Sequence, residues 1–314
     1  MLYFSRSLQI LFFLIILLGC RNPSKKSILE KDVNILSVPS ASACEQIGNS
    51  IFIVGDDSPY LYRFDLSFRN VDSILIYPDK YSRVNRIDKE KKHDYESMTS
   101  VQWNGQEALF ILGSGSKKAR QKGLIYLLNG NKIIHLDLHR FYTALSALMG
   151  IDQSELNCEG MTLQNDQLIL ANKPTNALIS ISWKQFISFV SKKSPSFDVR
   201  VYKLNLPSRN QHVIQLTGLD FSSDGTLYFT AYSNNGAKPG QFYPKPRAII
   251  GKVNLSNLEN VNKPNYTELT PSLALKIEGI SMLKKTQGNN DFILVSDGEN
   301  EISHLLKGTF SLVK

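Results

Sequence analysis

Hydrophobic and polar positions change character at residue 20. Before it, Leu8 to Leu18 is an apolar run broken only by Gln9 and preceded by Arg6. After it, apolar residues come in short runs separated by Gly, Asn, Asp and Ser, a pattern that predicts many short strands joined by tight turns. Helical spacing occurs twice, at Phe141, Leu145 and Leu148 within a segment closed by Gly150, and from Trp183 to Val190. Both segments lie between strand-like runs, so they read as insertions.

The strand-like runs repeat. Tyr95-Glu96-Ser97-Met98-Thr99, Cys158-Glu159-Gly160-Met161-Thr162, Leu216-Thr217-Gly218-Leu219-Asp220 and Ile277-Glu278-Gly279-Ile280-Ser281 share one pattern. Each is followed, after a polar turn, by a β-rich run: Leu109 to Leu112, Leu168 to Leu170, Leu227 to Thr230 and Phe292 to Val295. A degenerate earlier copy, Ser42-Ala43-Cys44, precedes Ile51 to Val54. From Ser42 the repeated position advances by 54, 63, 58 and 61 residues to Glu96, Glu159, Thr217 and Glu278. The unit at Glu159 shows four strands, with Asn165-Asp166 as its first turn, a pair that tolerates left-handed backbone.

A repeat of about sixty residues holding four strands is a propeller blade. The fold class is therefore all-β, a β-propeller of five four-stranded blades, with six as the alternative. The last unit lacks a strand, and the run Val33 to Val38 has no unit of its own. That run is expected to close the ring and leave no open edge.

Composition is that of a globular domain: 314 residues, 42% hydrophobic and 20% charged, which excludes collagen-like and disordered chains. The apolar run before residue 20 is too short to span a bilayer and ends in Leu17-Leu18-Gly19-Cys20. This resembles the bacterial lipobox, in which the Cys is lipidated. Residues 1–19 read as a lipoprotein signal peptide, 20–30 as lipidated Cys20 and tether, and 31–314 as the propeller. The expected location is the bacterial cell envelope, with the protein lipid-anchored. Arg21 is not the aspartate of inner-membrane retention, so the outer membrane is preferred. Cys44 and Cys158 sit in apolar, strand-like contexts and are expected to stay unbridged.

The net charge is +8, concentrated in the basic runs at Lys80–Lys92 and Lys117–Lys122. Neither run is interleaved with the aromatics of a nucleic-acid groove, so no nucleic-acid partner is expected.

Candidate chemistry centres on the repeated position. The first strand of each blade lines a propeller's channel, so Ser42, Glu96, Glu159, Thr217 and Glu278 should ring one mouth. Three converging carboxylates repel unless something positive sits among them. One reading is a metal site of Glu96, Glu159, Glu278 and Asp220 holding Ca²⁺, with Asp56, Asp57, Asp297 and Glu299 nearby. The other is structural, with each Glu accepting backbone N–H groups of the next blade. A second candidate is Gly113-Ser114-Gly115-Ser116-Lys117-Lys118-Ala119-Arg120, whose N–H groups, hydroxyls and cations suit an anion. Ser114, Ser116, Lys117, Arg120 and Asp297 are its ligand-binding candidates. No Gly-x-Ser-x-Gly, His-Glu-x-x-His or Cys-x-x-Cys motif occurs.

The ordered set Val38-Pro39-Ser40-Ala41-Ser42, Val54-Gly55-Asp56-Asp57, Asp94-Tyr95-Glu96, Leu112-Gly113-Ser114-Gly115-Ser116, Leu156-Asn157-Cys158-Glu159-Gly160, Ile277-Glu278-Gly279 and Val295-Ser296-Asp297 resembles an uncharacterised family of bacterial propellers, often lipid-anchored. More distantly it is similar to phytase-like and gluconolactonase-like propellers, whose channel-mouth carboxylates hold a divalent ion. The departures are Thr217 and Ser42 in place of Glu and the lack of an accompanying general-base His. The functional expectation is an envelope propeller that binds a ligand, an anionic small molecule or an envelope protein, at its channel mouth. The alternative is a Ca²⁺-dependent hydrolase of phosphate esters, lactones or similar anions.

Overall fold

Runs such as Ile51-Phe52-Ile53-Val54 are apolar at consecutive positions, so both faces of the strand must be covered. In the computed structural model they are the second strands of blades stacked face to face around an axis. The structure describes residues 27–78, 85–209, 212–233, 248–255, 264–269, 275–283, 290–297 and 302–310. The leader, Cys20, the residues up to 26, Lys80, Arg83 and Glu299 lie outside them.

The chain opens with strand β1 (Ser27–Asn34) and then forms blade one: β2 (Ala41–Ile47), β3 (Ser50–Gly55), β4 (Tyr60–Asp65) and β5 (Asn70–Leu75). Blade two is β6 (Tyr95–Trp103), β7 (Gln106–Gly113), β8 (Lys122–Leu127) and β9 (Lys132–Asp137). Helix α1 (His139–Met149) leads to blade three: β10 (Cys158–Gln164), β11 (Gln167–Asn172), β12 (Ala177–Ser182) and β13 (Arg200–Lys203), with helix α2 (Trp183–Val190) inserted before β13. A short ribbon, β14 (Ser208–Arg209) with β15 (His212–Val213), precedes blade four: β16 (Gln215–Phe221), β17 (Leu227–Tyr232), β18 (Ala248–Val253) and β19 (Asn265–Glu268). Blade five holds β20 (Lys276–Met282), β21 (Asn290–Asp297) and β22 (His304–Phe310), and its outer strand is β1.

All pairings within the blades are antiparallel, and the protein is a five-bladed β-propeller. The innermost strands β2, β6, β10, β16 and β20 touch in that order and close on β2. Closure is by the N-terminal strand as expected, but starting six residues earlier: β1 is Ser27–Asn34, while Ile35 and Val38 turn into the core between blades five and one. An outer strand with one face in solvent has little apolar patterning, which is why Ser-Ile-Leu-Glu-Lys-Asp-Val-Asn did not read as a strand.

The interior is divided into five apolar wedges, one per blade seam. In β3, Ile51 and Ile53 fill the seam with blade five and Phe52 and Val54 the seam with blade two. The largest wedge, between blades two and three, takes in both helices. Phe141 of α1 meets Phe186 of α2 edge-on at 4.9 Å between ring centres and Phe197 stacked at 5.4 Å. Gly150 ends α1 in the left-handed conformation (φ 66°). Cys44 and Cys158 are buried, free and in different blades. No described helix is long and apolar enough to cross a membrane.

Candidate functional site

The repeated sequence position is a β-bulge. In each blade the register between the first two strands slips there: between Ala41 and Ala43, Tyr95 and Ser97, Cys158 and Gly160, Leu216 and Leu219, and Ile277 and Gly279. A bulge puts an extra residue on one strand and re-aims its side chain. The extra residues are Ser42, Glu96, Glu159, Thr217 with Gly218, and Glu278. The glycine after the Glu marks where adjacent blades touch: a Cβ on Gly160 would lie 2.3 Å from the Thr217 carbonyl oxygen, and one on Gly279 would lie 2.9 Å from Ala43 Cα. The cavity among the five inner strands, lined in part by Ser42, Glu96, Glu159 and Gly218, measures about 10 Å³. That is room for about one water, so a ligand must sit on the mouth and not in a bore.

The five copies divide into two kinds. Ser42 Oγ donates to the Tyr95 carbonyl oxygen at 2.7 Å, and Thr217 Oγ1 to that of Ile277 at 2.9 Å. Each hydroxyl thus ties its blade to the residue just before the next blade's bulge. The glutamates do not bond neighbouring backbone in this way. Glu159 takes Lys173 Nζ at 3.0 Å and the Asn157 amide, and Glu278 takes Lys276 Nζ. Glu96 has neither a hydrogen bond nor an ion pair with a described residue.

The positive charge that the carboxylates require comes from the chain itself. Lys92 Nζ lies 2.5 Å from Asp56 Oδ2 and 2.7 Å from Asp94 Oδ1. Arg120 Nη1 is 2.8 Å from Asp94 Oδ2, Arg86 Nη1 is 2.6 Å from Asp57 Oδ2, and Lys276 also approaches Asp297 at 3.5 Å. Burial alone would lower Lys276, yet Glu278 and Asp297 hold its ammonium above the usual lysine range. Asp56 and Asp297 are both raised by burial, against the pull of Lys92 and Lys276 respectively. Burial pushes Glu278 up to about 7, with Lys173 and Lys276 pulling the other way. Glu96 is raised well above the ordinary glutamate range by burial, then by Glu159, Asp94, Asp56 and Glu278 around it. Two further carboxylate oxygens of the cluster are buried without a hydrogen-bond partner among the described residues: Asp57 Oδ1, and Glu278 Oε2 on a residue only 3% exposed.

The loop after β7 is built in. Tyr142 of α1 donates to the Gly113 carbonyl oxygen, and its ring packs where a Cβ on Gly115 (φ 78°) would fall. The backbone N–H groups of the loop are used internally: Ser114 to Asp94 O at 2.9 Å, Gly115 to Arg120 O at 3.1 Å, Ser116 to Ser114 Oγ at 3.4 Å. Ser114 Oγ donates to Asp94 Oδ2 at 2.6 Å, and Arg120 also donates to Ser116 Oγ at 3.2 Å. Ser114 and Arg120 therefore converge on Asp94, which adopts left-handed backbone (φ 55°), and Ser116 bonds both Ser114 and Arg120. Lys117 is exposed at the rim.

Asp220 stands apart from the mouth cluster and works across seams. Its carboxylate accepts from Met282 N at 2.7 Å and Thr162 Oγ1 at 3.1 Å, joining blades three, four and five. Asp297, read as a loop ligand, pairs with Lys276. Lys92 lies in the basic run that the sequence shows, whereas Lys173 and Lys276 carry no such mark, although a second repeated position contains a signal. Asp56, Ser114, Lys173, Tyr232 and Asp297 each follow the residue paired just before the bulge.

The mouth of this five-bladed propeller thus holds a partly buried group of paired charges around one carboxylate, Glu96, without an ion pair among the described residues. The chain belongs to the family of unknown function DUF6929, which matches residues 37–309. No curated protein matches the sequence. Among solved structures it is similar to the glutaminyl cyclase of Myxococcus xanthus, with 9% identity, TM-score 0.51, and 92% of this chain and 97% of that one covered. It is also similar to a streptogramin B lyase (11% identity, TM-score 0.41, 89% and 97% covered) and to a luciferin-regenerating enzyme (9%, 0.46, 92% and 96%). At these identities the likeness is one of fold.

Proposed function

We propose that the protein is a lipid-anchored binding protein of the bacterial envelope, whose channel mouth receives a small ligand bearing a primary ammonium or guanidinium group. The observation that carries this reading is Glu96. It is the one carboxylate of the described cluster with no cation or donor beside it, while the neighbouring carboxylates each have one. Glu96 is half-buried at the mouth, and a partly desolvated carboxylate without a partner is open to a group that arrives from outside. The same ring already accommodates alkylammonium groups at Lys92, Lys173 and Lys276, and the orphaned Glu278 Oε2 adds a second acceptor. Anchoring and envelope location rest on Leu17-Leu18-Gly19-Cys20.

The hydrolase reading has one observation in its favour: oxygens of Asp56, Asp94 and Glu96 lie within 4.8 Å of one another. The residues do not fit a divalent ion well. Lys92 Nζ already sits against Asp56 and Asp94, where an ion would have to stand. The binding reading is tested by thermal shift with ethanolamine, arginine and glucosamine against phosphate and citrate. A shift with the cationic probes that Glu96→Gln abolishes supports it. Shifts with the anions alone would contradict it and place binding at Lys117 and Arg120.

A further inference from the structure

We infer that the face opposite the charged mouth is a membrane-apposed surface, so that the mouth points away from the bilayer. The inference rests on lipidation at Cys20 and adds the orientation that the chain's geometry then imposes.

In blade five the mouth end is where Lys276 pairs with Asp297, and the same level continues outward through Ser296 with His304 and His304 with Asn34. At the other end, Met282 pairs with Phe292, Asn290 with Phe310, and Phe310 with Ser27. β1 therefore starts on the far face and climbs towards the mouth, a rise of about 24 Å at the usual spacing of a strand. Seven Cα steps separate Cys20 from Ser27 in the sequence, which span about 25 Å at full stretch. With Cys20 held at the headgroups, laying the mouth on the bilayer would require those residues to run back along the whole blade with no slack. Laying the far face on it requires none.

A second observation lies where the tether leaves. The β4–β5 turn of blade one, on the far face, packs against β1. Lys31 Nζ donates to the Ser67 carbonyl oxygen at 2.8 Å and stands 4.3 Å over the Phe68 ring. That turn presents Leu66, 46% exposed, and Arg69, whose side chain is 81% exposed. Arg69 is paired with Asp65 at 2.7 Å, so the turn offers an apolar side chain, and Lys25 and Lys26 in the tether sequence supply the cations that suit an anionic lipid surface.

The test uses the full chain with its own leader, produced in a bacterium that processes lipoproteins. Leu66→Cys and Leu36→Cys place a thiol dye on the far face and on the mouth-side turn after β1, since both leucines are already exposed. Cys44 and Cys158 are buried and do not compete for the dye. Each lipidated protein is reconstituted in phosphatidylethanolamine–phosphatidylglycerol vesicles with and without nitroxide-headgroup lipid. The expected result is loss of fluorescence at 66 and none at 36. Loss at 36 equal to or greater than at 66 overturns the orientation while leaving the anchor intact. Loss at neither site in lipidated, vesicle-bound protein also overturns it, by placing the propeller clear of the bilayer. A mass spectrum showing no lipid on Cys20, with no vesicle association, removes the anchor and the orientation with it.

Discussion

The hydroxyl of Ser42 donates to the carbonyl oxygen of Tyr95 at 2.7 Å, across the seam between the first and second blades. Thr217 repeats the relationship with Ile277, one seam before closure. Where the bulge position has a short hydroxyl it registers the ring. Where it has a glutamate, the side chain is left for the mouth.

Thr217→Val keeps the shape and removes the donor, leaving the buried Ile277 carbonyl without this partner. The expected loss is about 1–3 kcal/mol, read as a lower denaturant midpoint with an unchanged slope. Thr217→Ser should keep most of the stability. Equal stability of the Val and Ser variants would show that the bond does not register the blades.

Calcium and EDTA should leave the thermal midpoint unchanged to within about 1 °C, because Lys92 occupies the position between Asp56 and Asp94. An ion bound at about 100 times its dissociation constant would add roughly 2.7 kcal/mol and several degrees. A calcium-dependent rise of that size, reversed by EDTA, would restore the metal reading.

The five-bladed ring was legible in the sequence because turn pairs such as Asn165-Asp166 and the bulge residues recur at a blade's spacing. The closing strand was legible as a need for an edge partner, but not in its bounds, since an outer strand lacks a second apolar face. The glutamates were visible through repetition. Their partners were not: Lys173 follows the second strand of blade three, Lys276 opens the first strand of blade five, and Lys92 precedes β6. Three different local positions meet only when the ring closes, and no linear spacing encodes that.

Glu278 sets a pH signature. Its carboxyl titrates near 4.5 when unfolded and at about 7 when folded. Between those values the folded state binds more protons, so this group's contribution to stability falls as pH rises from 4.5 to 7 and is constant above. Glu278→Gln should abolish that contribution. The midpoint difference, variant minus wild type, should grow through this window to the equivalent of up to about 3 kcal/mol. A difference that does not change with pH would mean that Glu278 is ionised throughout, held by Lys276.

The central claim is that Glu96 is kept for a ligand and not for the fold, and the thermal midpoint of Glu96→Gln against wild type tests it most directly. Burial and four neighbouring carboxylates raise the folded carboxyl above its unfolded value, so its ionisation opposes folding increasingly as pH rises above 4.5. The account predicts equal midpoints near pH 4 and a variant more stable than wild type at pH 8. A variant less stable than wild type at both pH values would make Glu96 a structural partner and contradict the account.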